Sequence, residues 1–372
     1  MLGRNESRGT LPREVHGHMN DAWRFFYESL STRVVFGVGS LHQLPGELDR
    51  LGSQQALVLG GSRKPLIDDL MQRLGRRIAD VCLGSVMHVP LEVAQQARAR
   101  AEQCRADALI AIGGGSAIGL AKAVALESGL PIVAVPTTYA GSEMTPIWGI
   151  TAGAVKQTGR DLKVLPKVVL YDPALTMDMP QSLSGTSGMN AIAHCVEGLY
   201  AQQANPISSL MAAEGIRRLA DGLRALVRDP QDVDHRSEAQ YGACLAGMVL
   251  GTVGMALHHK LAHVLGGSFN LPHAAVHAVL LPHVARYNAD AAPNAMARVA
   301  DALHSDRAPQ GLYDLAVTLQ VPTALKNIGM QKADLDRAAE LATASEIFNP
   351  RPFHRGDLRL LLEAAYEGRR PL

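Results

Sequence analysis

Apolar positions follow two rhythms along this chain, and the change from one to the other divides it. In the first half, short apolar runs at Arg33-Val-Val-Phe36, Ala56-Leu-Val-Leu59, Val86 to Val89, Ala108 to Ile112 and Ile132 to Val135 alternate with longer stretches of helical spacing. Those stretches lie near Leu41 to Leu51, Pro65 to Arg77, Leu91 to Arg105 and Ala117 to Glu127. Runs of four or five apolar residues without polar alternation predict strands buried on both faces. Their alternation with helices predicts a parallel sheet covered on both sides. The strand pattern returns from Thr145 to Val155 and from Lys167 to Tyr171, where it completes or extends that sheet.

After Pro180 only helical spacing remains, at Ala212 to Leu226, Ala239 to Gly251, Met296 to Leu303, Gln310 to Leu319, Asp334 to Ala344 and Gly356 to Tyr366. The pattern predicts a doubly wound, Rossmann-like α/β domain over residues 23–183, with a mostly parallel sheet, followed by an all-α domain over residues 184–372. Residues 1–22 are polar and aperiodic and are read as an extension outside both domains.

Composition narrows the function. At 372 residues, 47% hydrophobic and 19% charged, the chain is long enough for a large core in two domains. A formal net charge of +1, with no basic run interleaved with aromatics, gives no footprint for nucleic acid. The longest apolar stretch, Ala108 to Ala121, is broken by Gly113-Gly-Gly115 and flanked by Asp107 and Lys122, so no membrane span is expected. The first residues carry Arg4, Glu6, Arg8, Arg13 and Glu14 with no apolar core of a secretory signal, which predicts a cytoplasmic protein. Cys82, Cys104, Cys195 and Cys244 show no metal or disulfide spacing and are read as reduced.

The candidate chemistry concentrates between Gly254 and His283, which hold six of the fourteen histidines. His259 and His263 stand four apart in an apolar run, so a helix puts both imidazoles on one face. Gly266 and Gly267 are expected to stop that helix. Asn270-Leu-Pro272 turns the chain, and His273 opens the next helical pattern, from which it can return to the pair. Upstream, Asn190 and His194 share a helix face in the same way. Such a constellation suits metal binding or proton transfer. His258 and His283 are assigned to the core.

A second signal lies at the strand ends. Glycines where a buried strand meets a helix let the backbone approach a pyrophosphate, which free N–H groups and the helix dipole favour. Gly113-Gly114-Gly115-Ser116 fits that need, although it is neither GxGxxG nor a Walker loop. Gly60-Gly61-Ser62 and Thr137-Thr138 end neighbouring strands at the same edge. No carboxylate stands near Ser62 to grip the ribose hydroxyls of NAD, and Ser62 or Arg63 tolerates a 2′-phosphate, so both NADH and NADPH are compatible with the sequence.

Taken in order, Gly113-Gly-Gly-Ser116, Pro136-Thr-Thr-Tyr-Ala-Gly-Ser-Glu143, the Gly188-Met-Asn190 to His194 helix, His258-His-Lys-Leu-Ala-His-Val-Leu-Gly-Gly267 and Leu271-Pro-His-Ala-Ala-Val-His-Ala278 resemble the iron-containing alcohol dehydrogenase superfamily. Within it they are similar to the maleylacetate reductases. The resemblance runs from about Trp23 to the carboxyl end. It implies the dehydroquinate synthase-like fold, a cleft between a nucleotide-binding domain and a helical domain, and a homodimer.

In metal-dependent members, the resemblance matches an aspartate and three histidines that hold the ion to Asn190, His194, His259 and His273, with His263 beside the nicotinamide. Asn at the first position removes the one anionic oxygen. The expectation drawn from this is that no metal is required. Gly119 also departs, standing where many members carry Asp. The activity implied is reduction of the carbon-carbon double bond of maleylacetate, a dicarboxylate, to 3-oxoadipate in the degradation of aromatic compounds. In that reaction charge develops on an enolate oxygen that hydrogen-bond donors can meet. His194, His259, His263 and His273 are the expected donors or proton source, with Asn190 and Tyr139 beside them. Lys260, and after it Lys163 and Arg160, are the candidate cations for the substrate carboxylates.

Overall fold

A computed structural model describes residues 24–61, 64–86, 89–153 and 155–372. The expected extension over residues 1–22, together with Ser62 and Arg63, lies outside the described residues.

Six strands form one parallel sheet: β1 (Arg33–Phe36), β2 (Ala56–Gly60), β3 (Ile78–Leu83), β4 (Ala108–Gly113), β5 (Ile132–Pro136) and, from later in the chain, β8 (Val168–Tyr171). Their order is β1-β8-β5-β4-β2-β3, with every neighbouring pair parallel. The interior strands β2, β4, β5 and β8 are buried at nearly every residue, as continuous apolar runs require. The helices α1 (Leu44–Arg50), α2 (Lys64–Leu74), α3 (Leu91–Gln103) and α4 (Gly115–Ser128) connect them. Two apolar clusters sandwich the sheet, one holding Leu57, Leu59, Leu109 and Ile118, the other Val58, Leu70, Ile110 and Leu170.

The winding reverses between β2 and β4. There β3 leaves to one edge while β5, β8 and β1 build toward the other, and this is the switch point where doubly wound sheets open a crevice at the carboxyl ends of their strands. Register sets Gly60 beside Ile112 and Gly113 beside Pro136 at that edge.

Two strand expectations need correction. The third strand is Ile78–Leu83, not Val86 to Val89. As an edge strand it is only partly buried, so Ile-Ala-Asp-Val-Cys-Leu carries a weak apolar signal. Of the expected segment, residues 87 and 88 lie outside the described residues. Thr145 to Val155 does not extend the main sheet. Residues 147–160 fold into a separate antiparallel hairpin, β6 (Ile147–Ala152) with β7 (Val155–Arg160).

From residue 181 onward the described elements are helical: α5 (Gln181–Tyr200), α6 (Pro206–Arg228), α7 (Val233–Thr252), α8 (Leu257–Ser268), α9 (His273–Asn288), α10 (Pro293–Leu303), α11 (Ala308–Thr318), α12 (Leu335–Thr343) and α13 (Arg355–Glu367), with short 3₁₀ turns. Helix α5 is buried on almost every side, and its glycines make that possible. A Cβ at Gly188 or Gly198 would come within 2.3 Å of Leu223 or 2.2 Å of Val249, so neighbouring side chains lie directly on its backbone. Helix α8 runs through Gly266 and Gly267 to Ser268, past its expected stop, and Asn270 (φ 52°) makes the reversal into α9. No single described helix is long and apolar enough to cross a membrane.

Candidate active site

A cavity of about 990 Å³ lies between the carboxyl edge of the sheet and helices α5, α8 and α9. One wall is the glycine loop. Gly113 has φ 144°, and a Cβ on Gly114 would meet Thr138 at 3.1 Å, so the loop lies against Thr138 with no room for side chains. Helix α4 starts at Gly115 with no side-chain cap, which leaves its first N–H groups turned to the cavity edge, an arrangement suited to an anion. Gly61, Gly113, Gly114, Gly115, Ser116, Thr137 and Thr138 all line the cavity. Gly60 lies behind, where a Cβ would press on Ile112 at 3.2 Å.

The opposite wall holds the imidazoles. Asn190, His194, His259, His263 and His273 line the cavity, joined by His277. The rings of His194 and His259 stack with centroids 5.0 Å apart, and those of His263 and His273 stack at 6.0 Å. Behind them sits a residue to which no role was assigned from the sequence. Glu197 is fully buried and accepts from His259 Nδ1 at 2.6 Å, from the Ala256 amide at 2.9 Å and from the His258 amide at 2.7 Å. It caps α8 and holds His259 with Nδ1–H toward the carboxylate, so the Nε2 lone pair is presented to the site. Glu197 follows Asn190 and His194 at the i, i+4, i+7 spacing of one helix face, so the signal was present in the sequence.

A chain of imidazoles runs inward from the cavity. His258 Nε2 meets His277 Nδ1 at 2.8 Å, and His277 Nε2 meets His273 Nε2 at 3.2 Å. Burial, reinforced by the neighbouring imidazoles, pushes His194, His258 and His277 well below the usual histidine range, so these rings are neutral at pH 7. His283 is also buried, pushed down to about 4 by burial alone, and does not line the cavity.

The loop from Ser142 to Ile147 is held from below by Lys122. Its buried ammonium donates to the carbonyls of Ser142 (2.6 Å), Thr145 (2.7 Å) and Ile147 (2.9 Å) and to the Thr145 hydroxyl (2.9 Å). Burial drives Lys122 down to about 7, against the pull of Glu143.

Two expected site residues are misplaced. Tyr139 does not line the cavity. It is fully buried in the helical core, its hydroxyl without a hydrogen-bond partner and with Arg236 and Thr176 as polar neighbours. Past the end of β5 the chain bends, and while Thr137, Thr138 and Ala140 line the cavity, Tyr139 turns into the helical core with its amide donating to the Ser187 hydroxyl. Lys260 also stays off the cavity and donates to Ser345 Oγ, because on a helix it points about 100° away from its neighbour His259. Of the other cations, Lys163 is exposed and off the cavity, whereas Arg160 lines it.

Comparison with known proteins agrees with this architecture. Residues 31–173 match the family described as iron-containing alcohol dehydrogenase, and residues 184–366 match the C-terminal part of the same family. A maleylacetate reductase of Burkholderia cepacia is 51% identical over 93% of this chain and 99% of its own. Among solved structures, maleylacetate reductase from Agrobacterium tumefaciens superposes with a TM-score of 0.90 at 46% identity, covering 94% of this chain and 99% of that one. An iron-containing alcohol dehydrogenase from Corynebacterium glutamicum does so at 0.89 and 44%, covering 94% and 98%.

These matches overturn one expectation. A family defined as iron-containing corrects the expectation that no metal is required. The residues present fit an ion. Asn190 Oδ1 and His259 Nε2 are buried and have no hydrogen-bond partner, and imidazole nitrogen suits iron. As placed, no three His, Cys, Asp or Glu side chains among the described residues form a group that could hold an ion, so the donor atoms on offer are those of Asn190 and His259.

Proposed function

The chain belongs to the iron-containing alcohol dehydrogenase family, and within it we propose that it reduces the carbon-carbon double bond of maleylacetate to 3-oxoadipate at the expense of NADH or NADPH. One observation carries the reading. A single cavity joins a glycine-rich helix start to a wall of imidazoles, and no Asp or Glu among the described residues lines it. The first feature suits a dinucleotide pyrophosphate, the second a developing oxyanion, and the absence of lining carboxylates a doubly negative substrate.

In this reading the glycine loop from Gly113 to Ser116, with Gly61, Thr137 and Thr138, seats the cofactor so that its nicotinamide faces His263. Hydride addition to the alkene carbon β to the ketone gathers charge on the ketone oxygen as an enolate, and a proton then goes to the adjacent carbon. His194, His263 and His273 serve as donors or proton source there, while His259, held by Glu197 with its Nε2 lone pair toward the site, can ligate an ion but not donate. Asn190 Oδ1 and His259 Nε2 would hold the iron, which when bound polarises a carbonyl oxygen. Activity as a homodimer in the cytoplasm is part of the same proposal.

The test follows loss of NADH absorbance with maleylacetate and identifies the product by NMR. A saturated 3-oxo diacid is expected. A product that keeps its double bond and gains a hydroxyl would refute the reading in favour of carbonyl reduction, and absence of turnover would refute it outright.

A further inference from the structure

We propose that Arg160 is the receptor for one carboxylate of the substrate and sets the preference for a diacid; this rests on the reading of maleylacetate as substrate. Among the described residues lining the cavity, Arg160 is the only one with a permanent charge. No carboxylate among the described residues pairs with it. Arginines elsewhere differ in this respect: Arg217 and Arg218 on α6, for example, are both held by Glu214.

Arg160 is held at its backbone and at the tip of its side chain. Arg160 ends β7 opposite Ile147, and the neighbouring Gly159 lies under the indole of Trp148, where a Cβ would come within 2.7 Å of the ring. The hairpin end therefore has one backbone path. At its tip, Arg160 Nη2 donates to the carbonyl of Gly251, in the last turn of α7, where the helix dipole favours a cation. This bond reaches from the hairpin of the α/β half to the helical half.

One of five guanidinium N–H groups is used by Gly251, and the others remain for a carboxylate, whose two oxygens accept from the planar fork in parallel. The position matches the histidine end of the cavity. Leu250, Val253, Gly254 and Met255 flank the anchor on the same wall, and the chain then enters α8 toward His259 and His263. A diacid held there by one end lays its alkene across the imidazoles, while the cofactor loop stays free.

The experiment compares wild type, Arg160→Gln and Arg160→Lys in three assays. These are turnover of maleylacetate, turnover of its dimethyl ester, and calorimetric binding of adipate, an unreactive six-carbon diacid, in the presence of NAD⁺. Arg160→Gln is expected to raise KM for maleylacetate about 100-fold and weaken adipate by a similar factor, while kcat/KM for the diester moves by less than about threefold. Arg160→Lys should recover part of the loss, because it restores charge without the fork. Equal losses on diacid and diester would mark a structural clamp through Gly251 and overturn the proposal. So would unchanged adipate binding in Arg160→Gln, or failure of the wild type to bind adipate. If wild type binds adipate but does not reduce maleylacetate, the substrate reading falls, and the adipate arm still decides the role of Arg160.

Discussion

Glu197→Gln is the sharpest perturbation of the site, because the change is isosteric and its consequence can be counted. Three N–H donors converge on the two oxygens of Glu197: the His258 amide on Oε1, and the Ala256 amide and His259 Nδ1 on Oε2. A glutamine offers one carbonyl oxygen and one NH₂. With its oxygen at the Oε2 position, the NH₂ meets the His258 amide donor to donor; with the amide flipped, it meets two donors. At least one charge-assisted bond is lost and at least one donor is left buried without an acceptor, which costs about 2–4 kcal/mol. The loss falls on the first turn of α8 and on the tautomer of His259.

Hydrogen exchange reads the first effect, with protection of the Ala256 and His258 amides falling by about 30-fold or more for a loss at the low end of that range. Steady-state kinetics reads the second, in a lower kcat for maleylacetate with cofactor affinity nearly unchanged. If Glu197→Gln keeps both wild-type protection at these amides and wild-type kcat, Glu197 does not organise the histidine wall.

Further outcomes follow from the same contacts. Lys122→Met strips the donor from three carbonyls of the loop from Ser142 to Ile147, and should lower the melting temperature and cut kcat/KM at least about tenfold, both measurable on one preparation. Gly119→Asp adds a carboxylate to a cavity wall that has none among the described residues, and its Cβ would press to within 2.9 Å of Val89 Cγ2. Affinity for maleylacetate should drop steeply while the circular dichroism spectrum is kept, and unchanged affinity would refute the electrostatic argument. His277→Phe leaves His258 Nε2 buried without its partner and should destabilise the protein by about 1–3 kcal/mol in thermal denaturation, whereas an unaltered melting curve would show that the imidazole chain contributes nothing to stability.

The architecture was legible because the two halves obey different periods. Apolar runs such as Ala108 to Ile112 have one stable use, the middle of a parallel sheet, and the glycines after them fall at its carboxyl edge by necessity. The edge strand Ile78–Leu83 was missed for the complementary reason. Half-covered by neighbours, it carries polar Asp80, which pairs with Arg100, and so reads weakly as a strand. The hairpin of β6 and β7 looked like more sheet because local spacing reports that a segment is extended, and says nothing of which strand it pairs with.

The same distinction separates the site residues that sequence reasoning found from those it did not. Residues related by helix periodicity could be found: Asn190 and His194 share a face of α5, and Glu197 lies on it one turn further. Lys260 was misjudged against the same rule, since a residue next to a cavity-facing histidine on a helix is turned about 100° away from it. Tyr139 lies in a bend after β5, where neither the helix nor the strand period tells which way a side chain turns. Arg160 is of another kind. Nothing local distinguishes it from Lys163, three residues on, because what makes it a cavity residue is the hairpin carrying it across to Gly251 at the end of α7. Its neighbours Trp148 and Gly159 belong to the same piece of packing, since any side chain at 159 would push the indole away and move the strand end that aims the guanidinium. The histidine wall is therefore encoded in helix faces, whereas the group proposed to select a diacid is encoded in how two distant segments dock.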